Sequence, residues 1–300
     1  MKKPTLWVNP ADIETLRIEA PSMNISELFD LFEGRYTKLQ IRKKLFMNNI
    51  EYTRSDPDIY HYRKYSCDTA FFDSIDTPEK AYVLGYWAAD GLMRNNDKSY
   101  EVSITSNDKD HLYLVNTILS SNRPLVLEGK ESRCWKLCIT NKKLYNALLR
   151  LGFTNRKSLT LQYPTFLDTE LDSHFIRGFF DGDGCITMGF RNSIYICLSS
   201  GSYNFLDNVN NRLPIKVNQI KLDREGSNTL GMRFTGDTAR YFLSYIYRDS
   251  EGLRLERKYN RYQDYLNRRG IFAPPVMTER IKKNMERRLE EARLRELKCA

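Results

Sequence analysis

The sequence predicts an α+β fold in which two similar halves follow a helical N-terminal region. Two observations carry this prediction. The order helix–strand–strand–helix–strand–strand–helix is read twice along the chain, and each copy opens with an apolar helix that ends in Asp-Gly. The terminal aspartates of these helices, Asp90 and Asp183, are 93 residues apart (183 minus 90). A long period that occurs twice indicates a duplicated domain with pseudo-twofold symmetry.

Four regions are predicted: a helical N-terminal region with a linker at 1–75, a first half at 76–167, a second half at 168–270 and a basic helical tail at 271–300. Apolar residues at helical spacing predict helices at 25–32 and 38–45, separated by Glu33-Gly34. The second of these helices is rich in Lys and Arg, which indicates a helix-turn-helix. The alternative is a helical hairpin packed on the main domain. Residues 51–75 are interpreted as the linker.

The first half is predicted to begin with a helix from Pro78 to Asp90, because proline is favoured at the first helical position. The remaining elements of this half are a strand at 101–106, a helix at 109–119, strands at 125–127 and 134–140, and a helix at 142–151. The second half repeats the pattern with a helix at 174–183, strands at 186–190 and 194–199, a helix at 203–213, strands at 215–221 and 229–235, and a helix at 238–247.

The charge balance favours a polyanionic partner. Lys and Arg number 47 against 38 Asp and Glu, a net charge of +9, and such a balance attracts nucleic acid or acidic surfaces. A basic protein without such a partner is the alternative. The sequence contains no run of about 18 apolar residues, so no membrane span is predicted. The cysteines form no CxxC pair and complete no zinc pattern with the three histidines, which favours a reduced, intracellular protein. We expect it in the cytoplasm of a host cell, and an organelle or phage origin stays open.

The two Asp-Gly helices are predicted to pack against each other. Gly85 and Ala89 are four residues apart on one helix, as are Gly178 and Gly182 on the other. Small residues at this spacing let two helix backbones approach closely. The glycines that follow the aspartates are expected to supply the left-handed residue that ends each helix.

This packing places Asp90 and Asp183 in an unfavourable position. Both lie at helix C-termini, where the helix dipole repels negative charge, and in-register pairing would bring their carboxylates together. A bound cation removes both penalties, and oxygen ligands suit Mg²⁺ or another hard divalent ion such as Mn²⁺. Metals at paired carboxylates can clamp the attacking and leaving oxygens of a phosphodiester displacement. The alternative is an ordinary helix-ending Asp-Gly turn, which the matched pair disfavours.

The segments Val83–Gly91 and Ile176–Gly184 resemble the two LAGLIDADG motifs of homing endonucleases, and the resemblance extends over about residues 75–265. It implies two αββαββα halves whose antiparallel sheets form a saddle over double-stranded DNA, with the motif helices at the centre. It also implies site-specific DNA cleavage in which Asp90 and Asp183 bind metal and each directs the cutting of one strand.

The two motif copies differ at the sixth position, where the first has Ala88 and the second has Asp181. That position is not the family's metal ligand, so Asp181 is assigned no catalytic role and is interpreted as tuning the helix end. The family also carries a basic residue near the site in each half. Lys157 and Lys258 match it and could stabilise charge on the phosphate or polarise a water. The alternative is phosphate anchoring or surface charge.

Base recognition is expected from the polar faces of the predicted strands, because alternate residues of a strand share one face. The predicted DNA-contacting residues are Lys136, Thr140, Lys216, Asn218 and Arg233. An ordinary solvent-facing strand surface is the alternative for each of them.

Two functions remain open from the sequence. The first is a monomeric, free-standing or intron-encoded homing endonuclease. The second is a binding protein on the same fold, either an intron maturase that binds intron RNA or a transcriptional regulator. The presence of both Asp90 and Asp183 favours the endonuclease.

Overall fold

The computed structural model describes residues 9–53, 65–96, 99–129, 134–155, 157–190, 193–217, 220–223, 228–271, 283 and 287. The chain divides into two compact units, residues 1–64 and 65–300. Across these described ranges, no helix combines the length and the apolar character that a membrane crossing requires. The predicted tail at 271–300 lies almost entirely outside the described residues.

The first unit is helical, with α1 (Pro10–Glu19), α2 (Ile25–Leu31) and α3 (Lys38–Met47). Asn24 with Glu27 and Thr37 with Gln40 form capping boxes that fix the starts of α2 and α3. The two predicted helices are confirmed. The unit has its own core, formed by Leu16, Ala20, Ile25, Leu28, Phe32, Tyr36, Ile41 and Leu45.

The second unit contains two halves with the same order of elements. The first half consists of α4 (Pro78–Asp90), β1 (Gly91–Asn95), β2 (Tyr100–Ser106), α5 (Lys109–Ile118), β3 (Val126–Leu127), β4 (Trp135–Thr140) and α6 (Lys142–Arg150). The second half consists of α7 (Asp172–Asp183), β5 (Gly184–Met188), β6 (Ile194–Ser200), α8 (Tyr203–Arg212), β7 (Ile220–Leu222), β8 (Leu230–Thr235) and α9 (Gly236–Tyr247), and α10 (Glu256–Arg268) follows.

Each half forms one four-stranded antiparallel sheet. The strand orders are β1-β2-β4-β3 and β5-β6-β8-β7, so the second sheet repeats the topology of the first. One continuous core includes residues from both motif helices and both sheets. The predicted α+β fold of two pseudo-symmetric αββαββα halves with antiparallel sheets is confirmed.

Four details of the prediction were wrong. Strand β1 was missed, because it begins at Gly91 directly after the helix and leaves no loop to mark it. The strand expected at 215–221 is confined to β7 among the described residues. Helix α10 was missed because its buried face, Lys258, Tyr262 and Tyr265, has no aliphatic residue. Residues 65–75 belong to the second unit and not to a linker, since Phe71 and Phe72 are buried in its core.

The ends of the motif helices also differ from the prediction. Gly91 and Gly184 have φ values of −71° and −89° and an extended backbone, so neither supplies a left-handed residue. Glycine is required there by space. A Cβ at Gly91 would lie 2.5 Å from the Trp87 carbonyl oxygen, and a Cβ at Gly184 would lie 2.1 Å from the Phe180 ring.

Candidate metal and DNA site

The motif helices α4 and α7 pack backbone against backbone. A Cβ at Gly85 would lie 2.0 Å from the carbonyl oxygen of Phe175, and a Cβ at Gly178 would lie 2.0 Å from that of Tyr82. Phe175 follows Tyr82 by 93 residues, as Gly178 follows Gly85, so the two contacts are exchanged by a pseudo-twofold axis. The close packing predicted from the small residues is therefore present in the structure.

The same packing fixes the position of Asp90. A Cβ at Gly182 would lie 2.3 Å from the Ala89 Cβ and 3.2 Å from Oδ2 of Asp90. The Asp90 carboxylate therefore lies against the backbone of the residue that precedes Asp183. The two candidate metal ligands meet at one end of the helix pair.

The electrostatics of the pair match this proximity. Burial raises the pKa of Asp90 to about 6, with a further contribution from the negative charge of Asp183 and an opposing one from Lys258 and Lys157. Burial also raises the pKa of Asp183, against the opposing charges of the same two lysines. A hard cation would favour the ionised form of both groups, and two carboxylates are donors that such an ion accepts.

The two lysines lie at the C-terminal ends of the motif helices. Nζ of Lys157 donates to the Ala89 carbonyl at 2.8 Å, at the end of α4. Nζ of Lys258 donates to the carbonyls of Phe180 at 2.6 Å, Asp181 at 2.8 Å and Gly182 at 3.3 Å, at the end of α7. Each ammonium group offsets the partial negative charge of one helix terminus. This capping is what makes two carboxylates tolerable at these helix ends.

The two lysines are not equivalent. Lys258 is only 4% exposed, and its three carbonyl contacts occupy all three donors of an ammonium group. Lys157 is only partly buried and, among the described residues, donates one hydrogen bond, which leaves two of its N–H groups for a phosphate oxygen or a water. Burial lowers the pKa of both, to about 8 for Lys258. Their chemical role stays a prediction, and the geometry favours Lys157 for direct contact with a substrate.

The two lysines are expected to differ in how much each contributes to the free energy of unfolding. Lys258→Met removes the lysine donor of the Asp181 and Gly182 carbonyls, while the Phe180 carbonyl keeps the Gly184 amide. It should lower the free energy of unfolding by about 2–4 kcal/mol, because buried polar groups left unpaired are costly. Lys157→Met should lower the free energy of unfolding by about 1 kcal/mol, because it affects a single carbonyl, that of Ala89, which is only partly buried. Urea denaturation of both variants measures the difference. Equal losses would contradict the assignment of Lys258 as the buried cap.

Asp181 forms buried hydrogen bonds to both halves and is not placed as a ligand. Its buried carboxylate accepts hydrogen bonds from the hydroxyls of Tyr82 at 2.8 Å and Tyr247 at 3.3 Å and from the Leu255 amide at 2.8 Å. Leu255 immediately precedes α10, so this contact fixes the start of the helix that carries Lys258. The equivalent position in the first half is Ala88, which makes the surroundings of the two lysines different.

The predicted DNA-contacting residues fall in different places. Lys136 and Thr140 lie on the polar face of β4, where Nζ of Lys136 pairs with Oε1 of Glu101 at 2.9 Å. Arg233 is exposed on β8 and its guanidinium donates to the Asp223 carbonyl at 2.7 Å. Lys216 is exposed but precedes β7 and is not in a strand. Asn218 lies outside the described residues.

The polar face of the second sheet is a shallow groove of about 430 Å³. Cross-strand pairing sets Cys185 beside Cys197 and Cys197 beside Arg233, and it sets Thr187, Tyr195 and Thr235 in the next row. Thr187 and Tyr195 were not singled out from the sequence, although the alternation along β5 and β6 places them on this face. Among the predicted residues in the described chain, only Arg233 lines this groove.

The second half of the chain matches a known family model. Residues 170–247 match the model of a family described as a LAGLIDADG-like domain. No curated protein matches the chain. Similar solved structures include the LAGLIDADG meganuclease I-AabMI bound to uncleaved DNA, at 12% identity over 73% of this chain and 97% of that chain with a TM-score of 0.45. Another is the meganuclease I-SmaMI bound to uncleavable DNA, at 14% identity over 65% and 89% with a TM-score of 0.42.

The matched segment begins just before α7 and ends at the last residue of α9. It therefore contains the second motif helix with Asp183 and the whole second sheet. The first half repeats its motif helix and its strand order. The resemblance predicted from the two motif helices is confirmed, since residues 170–247 match the model of a LAGLIDADG-like domain.

Proposed function

We propose that this chain is a sequence-specific endonuclease that cuts double-stranded DNA with a divalent metal, Mg²⁺ or Mn²⁺, at Asp90 and Asp183. The observation that carries the proposal is the pseudo-symmetric pair of carboxylates at one end of packed helices, each helix end capped by a lysine. Both carboxylates come from one chain, so the proposed enzyme acts as a monomer.

The symmetry of the site suits a duplex substrate. The two strands of DNA are related by local twofold axes, and proteins that contact both strands mirror this symmetry. Here Asp90 and Asp183 are related by the pseudo-twofold axis of α4 and α7, so each half offers one carboxylate to one strand. A single-stranded substrate would use only one half of this arrangement.

The donor set fits a hard divalent ion that is shared with the substrate. Within the described residues, no group of three or more His, Cys, Asp or Glu side chains could hold an ion by protein ligands alone. Two carboxylates leave coordination positions for phosphate oxygens and water, which Mg²⁺ characteristically retains. When bound, the metal supplies Lewis-acid stabilisation and an activated water. Asp90 and Asp183 hold it in their ionised forms, and the two lysines stabilise the helix ends beside them.

Target recognition is assigned to the polar sheet faces. A two-stranded ribbon or a strand fits the major groove of B-DNA, where each base pair shows a distinct pattern of donors and acceptors. Arg233 lines the groove of the second sheet, and an arginine fork matches the acceptor pair of guanine. Its partner Asp223 holds the guanidinium in place before DNA binds.

Incubation with a randomised duplex library tests this function. In Mg²⁺, the wild-type chain is expected to cut at one long shared sequence, and the Asp90→Asn/Asp183→Asn variant is expected to bind the same sequence without cutting it. Cuts that persist in the variant would contradict the assigned site. Absence of cutting by the wild type, with selective retention of structured intron RNA, would favour a maturase instead.

The raised pKa of Asp90 predicts a stability effect in metal-free buffer. Because the folded value is about 6 and the unfolded value is about 4, the folded state holds more protons between these pH values. The unfolding free energy should therefore fall as pH rises from about 4 to about 6. Asp90→Asn removes this loss and should be more stable than the wild type at pH 7, by on the order of 1 kcal/mol. Thermal melting in EDTA at pH 4.5 and pH 7 measures it, and equal stability of the variant and the wild type at pH 7 would contradict the raised pKa of buried Asp90.

A further inference from the structure

Helix α3 of the first unit presents a face that combines basic and large apolar side chains. Leu39 is 75% exposed and Phe46 is 87% exposed. Arg42 and Lys43 are exposed between them, at the three- and four-residue spacings that place side chains on one face of a helix. Neither basic side chain forms an ion pair within the described chain. A surface of this kind is unusual unless it meets a partner.

The charge of the first unit is concentrated on this helix. Helix α3 contains four basic residues and no acidic residue, whereas α1 and α2 together contain five acidic residues and one basic residue. The unit is therefore not uniformly basic. Charge of one sign gathered on one helix is the electrostatic footprint of a polyanion-binding element.

The packing of the unit directs this face outward. Ile41 and Leu45 on the opposite side of α3 are buried in the helical core. Two left-handed residues, Glu33 with φ of 51° and Gly34 with φ of 71°, turn the chain sharply between α2 and α3. Nζ of Lys38 donates to Oγ of Ser26 and ties the start of α3 to α2. The result is a helix–turn–helix pair whose second helix exposes Leu39, Arg42, Lys43 and Phe46.

We propose that the outward face of α3, formed by Leu39, Arg42, Lys43 and Phe46, is a second site for double-stranded DNA that lies in the major groove. A helix about 10–12 Å in diameter fits the major groove of B-DNA, which is about 12 Å wide. Arg42 and Lys43 contact phosphates or guanine, and Leu39 and Phe46 contact thymine methyl groups. This site extends the proposed function, since the same duplex would be held by two elements of one chain.

The shape and chemistry of this face favour DNA over other occupants. The major groove of duplex RNA is deep and narrow and does not admit side chains of a helix. A protein partner would favour an apolar centre depleted in lysine, whereas Lys43 lies at the centre of this face. Groove width and the central lysine therefore favour duplex DNA.

The test compares two variants of the full chain that lose the same charge. Arg42→Gln/Lys43→Gln changes the proposed site, and Arg17→Gln/Arg150→Gln removes two exposed basic groups elsewhere. The probe is the duplex enriched from the random library, in EDTA to prevent cutting. Affinity is measured against salt concentration, and the protected length is mapped by nuclease footprinting. Circular dichroism confirms that both variants are folded.

The α3 variant is expected to bind at least about 10-fold more weakly near 150 mM salt and to lower the log–log salt slope by about 1.8, because each phosphate contact contributes about 0.9. Its footprint should lose the base pairs that α3 protects, while Mg²⁺-dependent cuts at saturating protein stay at the same phosphates. The control variant should match the wild type within about 2-fold.

A separate variant tests the apolar contacts. Phe46→Ala is expected to relax base preference within the α3 footprint without changing the salt slope. The proposal is overturned if the α3 variant matches the control in affinity, slope and footprint, or if duplex RNA competes better than duplex DNA. If the protein still cuts normally while giving either of these results, only the α3 site is excluded and the proposed endonuclease function is unaffected. A wild-type chain that binds no duplex overturns both.

Discussion

Asp90→Asn and Asp183→Asn are each expected to lower the rate of double-strand cutting by about 10³-fold or more, equivalent to about 4 kcal/mol of transition-state stabilisation. Asparagine keeps the size of the side chain and removes the anionic oxygen that holds a hard cation. Both side chains lie at the end of a buried helix pair, so the fold and the sheet faces should remain intact. DNA affinity should therefore change by less than about 3-fold.

The measurement is single-turnover linearisation of a plasmid that carries the library-derived target, with binding followed by fluorescence anisotropy. Asp237→Asn is a matched control, because this carboxylate is 63% exposed in the first turn of α9 and, within the part of the chain that the structure describes, its ion pair is with Arg240. The control should cut at the wild-type rate. If Asp183→Asn also linearises the plasmid at that rate, the carboxylate has no role in the chemistry.

Gly178→Ala is expected to lower the free energy of unfolding by about 4 kcal/mol or more, a large fraction of the stability of a typical domain. The added Cβ would lie 2.0 Å from the Tyr82 carbonyl oxygen and 2.8 Å from the Tyr86 amide nitrogen. Both neighbours are backbone atoms of a buried helix, so neither can move aside without separating α4 from α7. Gly85→Ala should have the same effect, because its Cβ would meet the Phe175 carbonyl at 2.0 Å.

Gly236→Ala separates steric overlap from backbone strain. Gly236 has a φ of 56°, and a Cβ there would meet nothing within 4 Å, so alanine should cost only about 1–2 kcal/mol. Urea denaturation of the three variants gives the order. If Gly178→Ala is as stable as Gly236→Ala, the helices are not in backbone contact.

Much of the fold was predictable because its signals are local and repeated. Pro78 marks the start of α4, and the 93-residue period relates Asp90 to Asp183 without any knowledge of the structure. The small residues Gly85 and Gly178 predict close helix packing, and the contacts at both positions confirm it. A repeat also makes two weak motifs stronger than either one alone.

The features that were missed depend on backbone conformation and packing that the sequence pattern does not show. Gly91 looks like an ordinary helix-ending glycine, but it begins strand β1. Glycine is required there because a Cβ would collide with the carbonyl and the ring of Trp87. Lys258 is separated by 76 to 78 residues from the carbonyls that it caps. Lysine is normally exposed, so sequence alone assigns Lys258 to a surface or substrate role. Only the packing of α10 shows that its donors are already occupied.

The central claim is that Asp90 and Asp183 together hold the catalytic metal. The most direct measurement is anomalous diffraction from crystals of the full chain with its selected duplex in Mn²⁺. The predicted result is manganese within about 2.5 Å of a carboxylate oxygen of both Asp90 and Asp183, with a DNA phosphate oxygen as a further ligand. Manganese bound elsewhere, or DNA cut in the crystal with no metal at these carboxylates, would contradict the account.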